Sequence, residues 1–208
     1  YRGVVALFVV AGILYLFVAR EYFLLRRTPE SAQQQSVVSQ LDAKTIVVPL
    51  TVFIMTSDRP HGSKRTEGDA RRLIANTSRI WEQASIELHI QHIVQLPVTP
   101  DERLLFLQTP REYVKTVDEY NDKTINVFLA GTLGGLNGVS FGGTSGIAVA
   151  DFTSVHDFRT AAHEIGHQLG LNHVPGARGR LMYKGANGVD LTLDEITHAR
   201  SVAQRFLH

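Results

Sequence analysis

Residues 163–173 read His-Glu-Ile-Gly-His-Gln-Leu-Gly-Leu-Asn-His, and they are the most informative stretch of the chain. On a helix, His163 and His167 lie one turn apart on the same face, so both imidazoles can reach one ion. Gly170 can adopt the positive φ that ends many helices, and the turn after it lets His173 swing back as a third ligand. We therefore predict a divalent metal held by three imidazoles.

These residue types at this spacing favour zinc in a catalytic site. Three neutral nitrogens leave the fourth tetrahedral position of a zinc ion for water, whereas structural zinc sites are closed by four protein ligands. Glu164 follows the first ligand and points beside the ion, where its carboxylate can act as a general base. Ordinary surface histidines on an amphipathic helix are the competing interpretation, and five specified positions disfavour it. Three histidines can also hold another divalent ion.

The longer pattern H-E-x-x-H-x-x-G-x-x-H is followed at residues 181–183 by Leu-Met-Tyr. In this respect the chain resembles the metzincin zinc peptidases, which carry a methionine in a tight turn beneath the metal, and it looks most like their matrixin branch. The resemblance covers about residues 44–208. It implies an α+β domain with a mixed twisted sheet of four to five strands, a zinc helix and a C-terminal helix. It also implies a zinc-dependent endopeptidase with Glu164 as general base and acid and Met182 in the methionine turn.

The same resemblance suggests where a peptide substrate binds. An edge strand at residues 147–151 would take up the substrate as an additional strand. Tyr183 would begin a wall, residues 183–189, of the pocket for the side chain after the scissile bond. The substrate contacts implied on the strand are Ile147, Ala148, Val149 and Ala150. A non-catalytic, zinc-stabilised module that binds peptide on this strand is the alternative, and the intact Glu164 favours the enzyme.

Hydrophobic spacing predicts the elements around this site. The predicted strands are residues 44–56, 86–96, 124–130 and 147–151, and the predicted helices are residues 67–85, 109–120, 158–169 and from Asp190 or Thr192 to about 206. Seven glycines within residues 131–146 predict a long loop around the site. Pro49 disfavours a central place in the sheet for the first strand.

The N-terminal part differs in composition from the rest. Residues 3–19 form an uncharged apolar run at the short end of what spans a bilayer. We predict a membrane anchor with a basic flank over residues 1–27, and a Gln- and Ser-rich linker over residues 28–43. Phe17 lies where a signal-peptide cleavage site needs a small side chain, which favours an uncleaved, single-pass anchor over secretion after cleavage. The expected place of the catalytic domain is extracytoplasmic, although the arginines after the run, read alone, indicate the opposite orientation.

Composition excludes several classes of function. Lys and Arg number 21 against 20 Asp and Glu, so no basic excess is available to bind nucleic acid. The chain has no cysteine, which rules out disulfides, thiolate zinc sites, a cysteine nucleophile and latency based on a thiol. A peptide, and a membrane through residues 3–19, are the predicted partners.

Two weaker patterns point elsewhere. Ser140 lies in a G-x-S-x-G sequence at residues 138–142, but the strand before it and the helix after it that a nucleophile elbow needs are not predicted. His89 and His92 are three apart on a predicted strand, so we expect them on opposite faces and not at one ion.

A calcium site is a secondary hypothesis. Asn137, Asp151 and Asp157 offer the oxygen ligands that calcium prefers. Their spacing matches no known calcium loop, so only their nearness to the glycine-rich stretch supports it.

Overall fold

The structure, a computed structural model, describes residues 44–57 and 62–207. The predicted anchor and linker lie outside the described residues. Within the described part of the chain, no helix combines the length and the apolar character needed to cross a bilayer.

Five strands form one mixed sheet in the order β2-β1-β3-β5-β4. The strands are β1 Ile46–Thr56, β2 Ile86–Pro97, β3 Ile125–Ala130, β4 Gly138–Phe141 and β5 Gly146–Ala150. Every neighbouring pair is parallel except β4 and β5, which are antiparallel. The expected α+β domain with a mixed sheet of four to five strands is confirmed.

The edge of the sheet is not where the sequence placed it. β5 lies between β3 and β4, and all five of its residues are buried. β4 forms within residues 131–146, where the glycines predicted a loop. It forms because pairing with β5 outweighs the weak strand propensity of glycine. The prediction of an edge strand at residues 147–151 is therefore wrong, and β4 is the edge strand at this end of the sheet.

Pro49 is accommodated in a central strand, contrary to expectation. β1 lies between β2 and β3, but its pairing with β3 begins only at Leu50. A register shift against β2 follows between Leu50 and Thr51. Pro49 therefore lies outside the ladder with β3, and it pairs with His89 of β2 just before the register shift.

The helices are α1 Glu67–Trp81, α2 Pro100–Gln108, α3 Pro110–Val114, α4 Asp157–Gln168 and α5 Leu193–Ala203. Short 3₁₀ segments, Glu82–Ala84 and Gln204–Leu207, follow α1 and α5. The helix predicted at residues 109–120 begins at Pro110 as expected but ends at Val114. The residues after Val114 turn.

A capping box starts each of three helices, with a threonine before the helix and an acidic residue three positions on. Thr192 with Glu195 begins α5, as the sequence predicted. Thr99 with Glu102 forms the same signature and begins α2, a helix that was not among those predicted.

The sheet separates two packed layers. On one face Phe53 of β1 stacks on Phe128 of β3 at 4.6 Å between ring centroids, and Phe106 of α2 lies 5.7 Å from Phe128. On the other face α4 packs against β4, β5 and α1. Phe141 of β4 contacts the aromatic layer, and Gly138, three residues earlier, faces α4. This arrangement sets α4 alongside the edge of the sheet.

Candidate metal and catalytic centre

Three imidazole nitrogens converge at the C-terminal half of α4. The Nε2 atom of His173 lies 3.1 Å from Nε2 of His163 and 3.1 Å from Nε2 of His167. A tetrahedral zinc ion with Zn–N bonds of 2.0–2.1 Å separates its ligand nitrogens by about 3.3 Å. Within the described residues, this is the one group of three or more His, Cys, Asp or Glu whose ligand atoms converge. The donor set therefore fits a zinc ion with one position left for water.

The chain reaches His173 through a tight helix end. The Leu171 N–H donates to the Gly166 carbonyl at 2.9 Å and the Gly170 N–H to the His167 carbonyl at 3.1 Å. These two bonds form a Schellman motif, and Gly170 adopts the positive φ of 82° that the motif requires. The predicted role of Gly170 is confirmed.

Hydrogen bonds to backbone carbonyls fix the tautomers of two imidazoles. Nδ1 of His163 lies 2.8 Å from the Leu181 carbonyl oxygen, and Nδ1 of His167 lies 2.8 Å from the Leu171 carbonyl oxygen. A carbonyl only accepts, so Nδ1 carries the proton and the Nε2 lone pair is free for a metal. Burial lowers the pKa of His163 to about 4 and also lowers the pKa of His167 and His173. All three imidazoles are thus neutral ligands at neutral pH.

Met182 packs against α4 next to Gly166, the residue before the ligand His167. Its side chain is fully buried, and its sulfur would come within 2.6 Å of a Cβ on Gly166 of α4. The Val174 N–H donates to the Met182 carbonyl at 3.1 Å, which ties the chain just after His173 to this turn. Trp81 of α1 is fully buried and packs against the same glycine.

Glu164 lies beside the histidines against the sheet edge. Burial raises the pKa of Glu164 to about 7, and the charges of Arg159 and Lys184 act in the opposite direction. A Cβ on Gly138 of β4 would lie 3.0 Å from Cγ of Glu164 and 2.7 Å from Cγ2 of Thr160. Gly138 therefore lets the edge strand approach the carboxylate, a role that the sequence did not reveal.

Arg159 is a second residue that sequence reasoning missed. It is 3% exposed, and its Nη2 donates to the carbonyls of Leu181, at 2.6 Å, and Tyr183. Its Nε donates to the Gly188 carbonyl at 3.2 Å. Arg159 thereby holds residues 181–188, called here the wall segment, against α4. The Leu181 oxygen also accepts from His163, so one carbonyl serves both side chains.

A cleft of 1210 Å³ opens over the histidines, between β4, α4 and the wall segment. Gly138, Val139 and Ser140 of β4 line it, as do Glu164 and the three histidines. Tyr183 is half-buried and contributes its carbonyl to Arg159, while the neighbouring Lys184 faces the cleft. The contacts predicted on β5 do not reach this cleft, because all four residues, Ile147, Ala148, Val149 and Ala150, are buried. The first three pair with both β3 and β4, and Ala150 pairs with β3.

The other candidate sites have structural explanations. Ser140 lies on β4, and its Oγ is 2.8 Å from Nε2 of Gln168, which ties α4 to the edge strand. A turn follows β4 and no helix does, so the nucleophile elbow is absent from this stretch. His89 pairs with Pro49 and His92 with Thr51, two residues apart on β1. The expectation of opposite faces is therefore wrong, because the register shift restores both histidines to one face.

The oxygen atoms proposed for calcium are engaged by cations and amides of the chain. Arg65 bridges Asp151 at 3.2 Å and Asp157 at 2.8 Å. Asn137 exchanges two hydrogen bonds with Ser154. A guanidinium between the two carboxylates repels a divalent ion, so the structure argues against this calcium site.

Comparisons with known proteins bear on this geometry. Residues 113–192 match the family described as Peptidase M66, and this segment contains Glu164, the three histidines and Met182. The fold is similar to archaemetzincin from Methanopyrus kandleri, with 13% identity, a TM-score of 0.45, and coverage of 79% of this chain and 98% of that chain. It is also similar to a chain in a structure entitled "Structure of a chaperone-substrate complex", with 14% identity and a TM-score of 0.52. That alignment covers 78% of this chain but only 34% of the other, and it supports the fold alone. No curated protein sequence matches.

Proposed function

We infer that this chain, a metzincin-like zinc metalloendopeptidase, hydrolyses internal peptide bonds of an extended substrate that lies along β4. The convergence of three Nε2 atoms beside Glu164, in a cleft bordered by a free strand edge, is the observation that carries this inference.

The reaction adds one water across an amide and yields a carboxylate and an amine. Zinc held by His163, His167 and His173 would polarise the scissile carbonyl and acidify the attacking water. The Glu164 carboxylate takes a proton from that water and delivers it to the leaving nitrogen. The bonds from Nδ1 of His163 and His167 to backbone carbonyls keep both rings oriented while this occurs.

β4 supplies the surface for the substrate. Among residues 44–57 and 62–207 its one neighbouring strand is β5, so its outer side can take up an added strand. Gly138, the first residue of β4, lies against Glu164 of α4. Two residues further along β4, Ser140 is held by Gln168, the last residue of α4. A peptide added along β4 therefore passes directly over the catalytic groups.

Within the metzincins we place the chain nearest the matrixin branch. Leu-Met-Tyr at residues 181–183 and the helix that begins after Thr192 support this placement. Cleavage-site profiles of representatives from each branch, compared with the profile of this enzyme, would test it.

The experiment that tests the catalytic assignment is digestion of a mixed peptide library by the full chain. We expect Glu164→Gln to lower kcat/KM by about 10²–10⁴-fold, the usual range for a general base, while the metal content measured by elemental analysis stays near that of the wild type. Glu112→Gln, an exposed glutamate of α3, is the matched control. Chelation should abolish cleavage and added zinc should restore it. Product formation by Glu164→Gln at the wild-type rate would refute the role of Glu164, and unaltered peptide binding without any cleavage would favour the non-catalytic module.

We also propose that residues 3–19 anchor the enzyme in a membrane, with residues 28–43 as the tether. The uncharged apolar run and the polar composition after it support this proposal. Added protease should degrade the catalytic domain in intact cells if the domain is extracytoplasmic. Degradation only after the membrane is opened would place the domain on the other side.

A further inference from the structure

The catalytic cleft carries an excess of positive charge that the whole chain does not. Its lining cations are Arg111, Arg159, Lys184 and Arg205, and its lining carboxylates are Asp122 and Glu164. The full chain has a formal net charge of only +1. Glu164 is further committed to proton transfer in the proposed function. The fixed charge available to a substrate in this cleft is therefore predominantly positive.

Lys184 brings one positive charge close to the reacting groups. It lies on the exposed part of the wall segment, just before Gly185, whose φ is 73°. Its side chain lines the same cleft as Glu164 and the three histidines. Within the described residues no carboxylate forms an ion pair with Lys184, whereas Arg180 of the same region is paired with Glu195 at 2.5 Å.

Two guanidinium groups flank the C-terminal end of β4. Arg205 donates from Nη2 to the Gln168 carbonyl at 2.9 Å, and its guanidinium lies 4.6 Å from the Phe206 ring centroid. Arg111 reaches within 3.4 Å of a Cβ position on Gly142, the residue after β4. Gln168 also contacts Ser140 of β4, so both arginines border the C-terminal end of the edge strand. Arginine has five N–H donors, and most of those on Arg205 remain for a ligand.

We propose that the substrate is an acidic peptide with carboxylate side chains on both sides of the scissile bond, one group facing Lys184 and another facing Arg111 and Arg205. This rests on the proposed function, because it assigns the substrate class of the same cleft. An extended peptide advances about 3.3 Å per residue, so about four or five residues cover β4 from the Lys184 end to the Arg111 end. Carboxylates at those two positions meet cations that form no ion pair among the described residues, and lysines there meet like charge. Lys184 and Arg111 are accordingly the specificity-determining residues.

The test compares two peptides that share one cleavable centre and differ only in four flanking positions, which are Glu in one peptide and Lys in the other. We expect the wild type to cleave the acidic peptide with a kcat/KM at least about tenfold higher at low salt. The ratio should shrink as salt is raised, because exposed charges are screened.

Charge-reversal variants locate the preference. The measured quantity is kcat/KM for the acidic peptide divided by kcat/KM for the basic peptide. Lys184→Glu should reduce this ratio by about tenfold through the peptide residues on one side of the scissile bond. Arg111→Glu should reduce it through the peptide residues on the other side. Arg71→Glu, an exposed residue of α1 outside the cleft, is the matched control and should leave the ratio unchanged. Melting temperature and metal content establish that each variant is folded and loaded.

The outcomes separate the two proposals. No cleavage of either peptide or of a mixed library by the metal-loaded wild type would overturn the peptidase function itself. Cleavage of both peptides at equal rates would overturn only the acidic preference. An effect of Arg71→Glu as large as that of Lys184→Glu would also overturn it, because the selectivity would then follow the charge of the whole molecule and not the cleft.

Discussion

Replacing Gly138 by alanine should impair catalysis by displacing Glu164. The added Cβ would lie 2.7 Å from Cγ2 of Thr160, 3.0 Å from the Ala148 carbonyl oxygen and 3.0 Å from Cγ of Glu164. These distances fall short of the ordinary contact limit of 3.4 Å by about 0.4 to 0.7 Å. The Ala148 oxygen belongs to the backbone of β5 and yields little, so β4 or Glu164 has to move by about half an ångström.

The expected magnitude follows from two effects. A misplacement of about 1 Å in a catalytic arrangement lowers rates about 10²-fold, so we expect kcat/KM to fall by about 10-fold or more. Overpacking costs about 1–3 kcal/mol, and the reduced chain entropy of alanine returns about 0.4–1 kcal/mol. The net loss of about 1–2 kcal/mol lowers Tm by roughly 2–8 °C in a domain of this size.

The assay is steady-state cleavage of one fluorogenic peptide together with a thermal melt and metal analysis. Gly68→Ala is the control, since its Cβ would find no atom nearer than 3.6 Å. We expect Gly138→Ala to stay folded and metal-loaded at the assay temperature with reduced turnover, and Gly68→Ala to keep wild-type turnover with an equal or slightly higher Tm. Full activity in Gly138→Ala would refute the reasoning, as would a loss of activity explained entirely by unfolding.

Three further changes have defined outcomes. Arg159→Met should lower the free energy of unfolding by about 3 kcal/mol, because three hydrogen bonds to carbonyls of the wall segment are lost, and Arg159→Lys should recover only part of this loss. Urea denaturation measures both variants. Equal stability of Arg159→Met and the wild type would contradict the role of Arg159 in holding the wall segment. Thr192→Ala should lower Tm by roughly 2–4 °C through loss of the α5 cap, whereas Thr192→Ser should not. Hydrogen bonds from Thr99 hold the pKa of Glu102 below its ordinary 4.5, so its contribution to stability is present above that pH and is lost as the pH falls through the lowered pKa. The Tm difference between wild type and Glu102→Gln should therefore shrink below about pH 4, and a constant difference would contradict this.

The sequence predicted the centre of the fold well because its signals there are local. His163, His167 and Gly170 are related by helix geometry and by one turn, which residue spacing expresses directly. The buried strand at residues 125–130 and the helix after Thr192 also follow from periodicity and a capping box. The three converging histidines needed only the further inference that the chain returns after Gly170.

The errors arose where distant segments decide the structure. β4 exists because β5 pairs with it, and no local pattern in a glycine-rich stretch encodes that partner. His89 and His92 share a face because β1 and β2 shift register near Pro49. No local pattern distinguishes Arg159 from other charged helix residues, because its carbonyl partners lie more than 20 positions further along the chain.

The Leu181 carbonyl oxygen accepts two hydrogen bonds, and it thereby links the shape of the cleft wall to the orientation of a metal ligand. His163 and Arg159 both donate to this atom, so the wall of the cleft and the orientation of a metal-binding ring form one mechanical unit. A library that redesigns residues 183–188 for a new side-chain preference also perturbs that unit. Variants selected for altered cleavage would therefore need a parallel screen for metal retention, because loss of the ion and loss of the preferred substrate would look alike in a turnover assay.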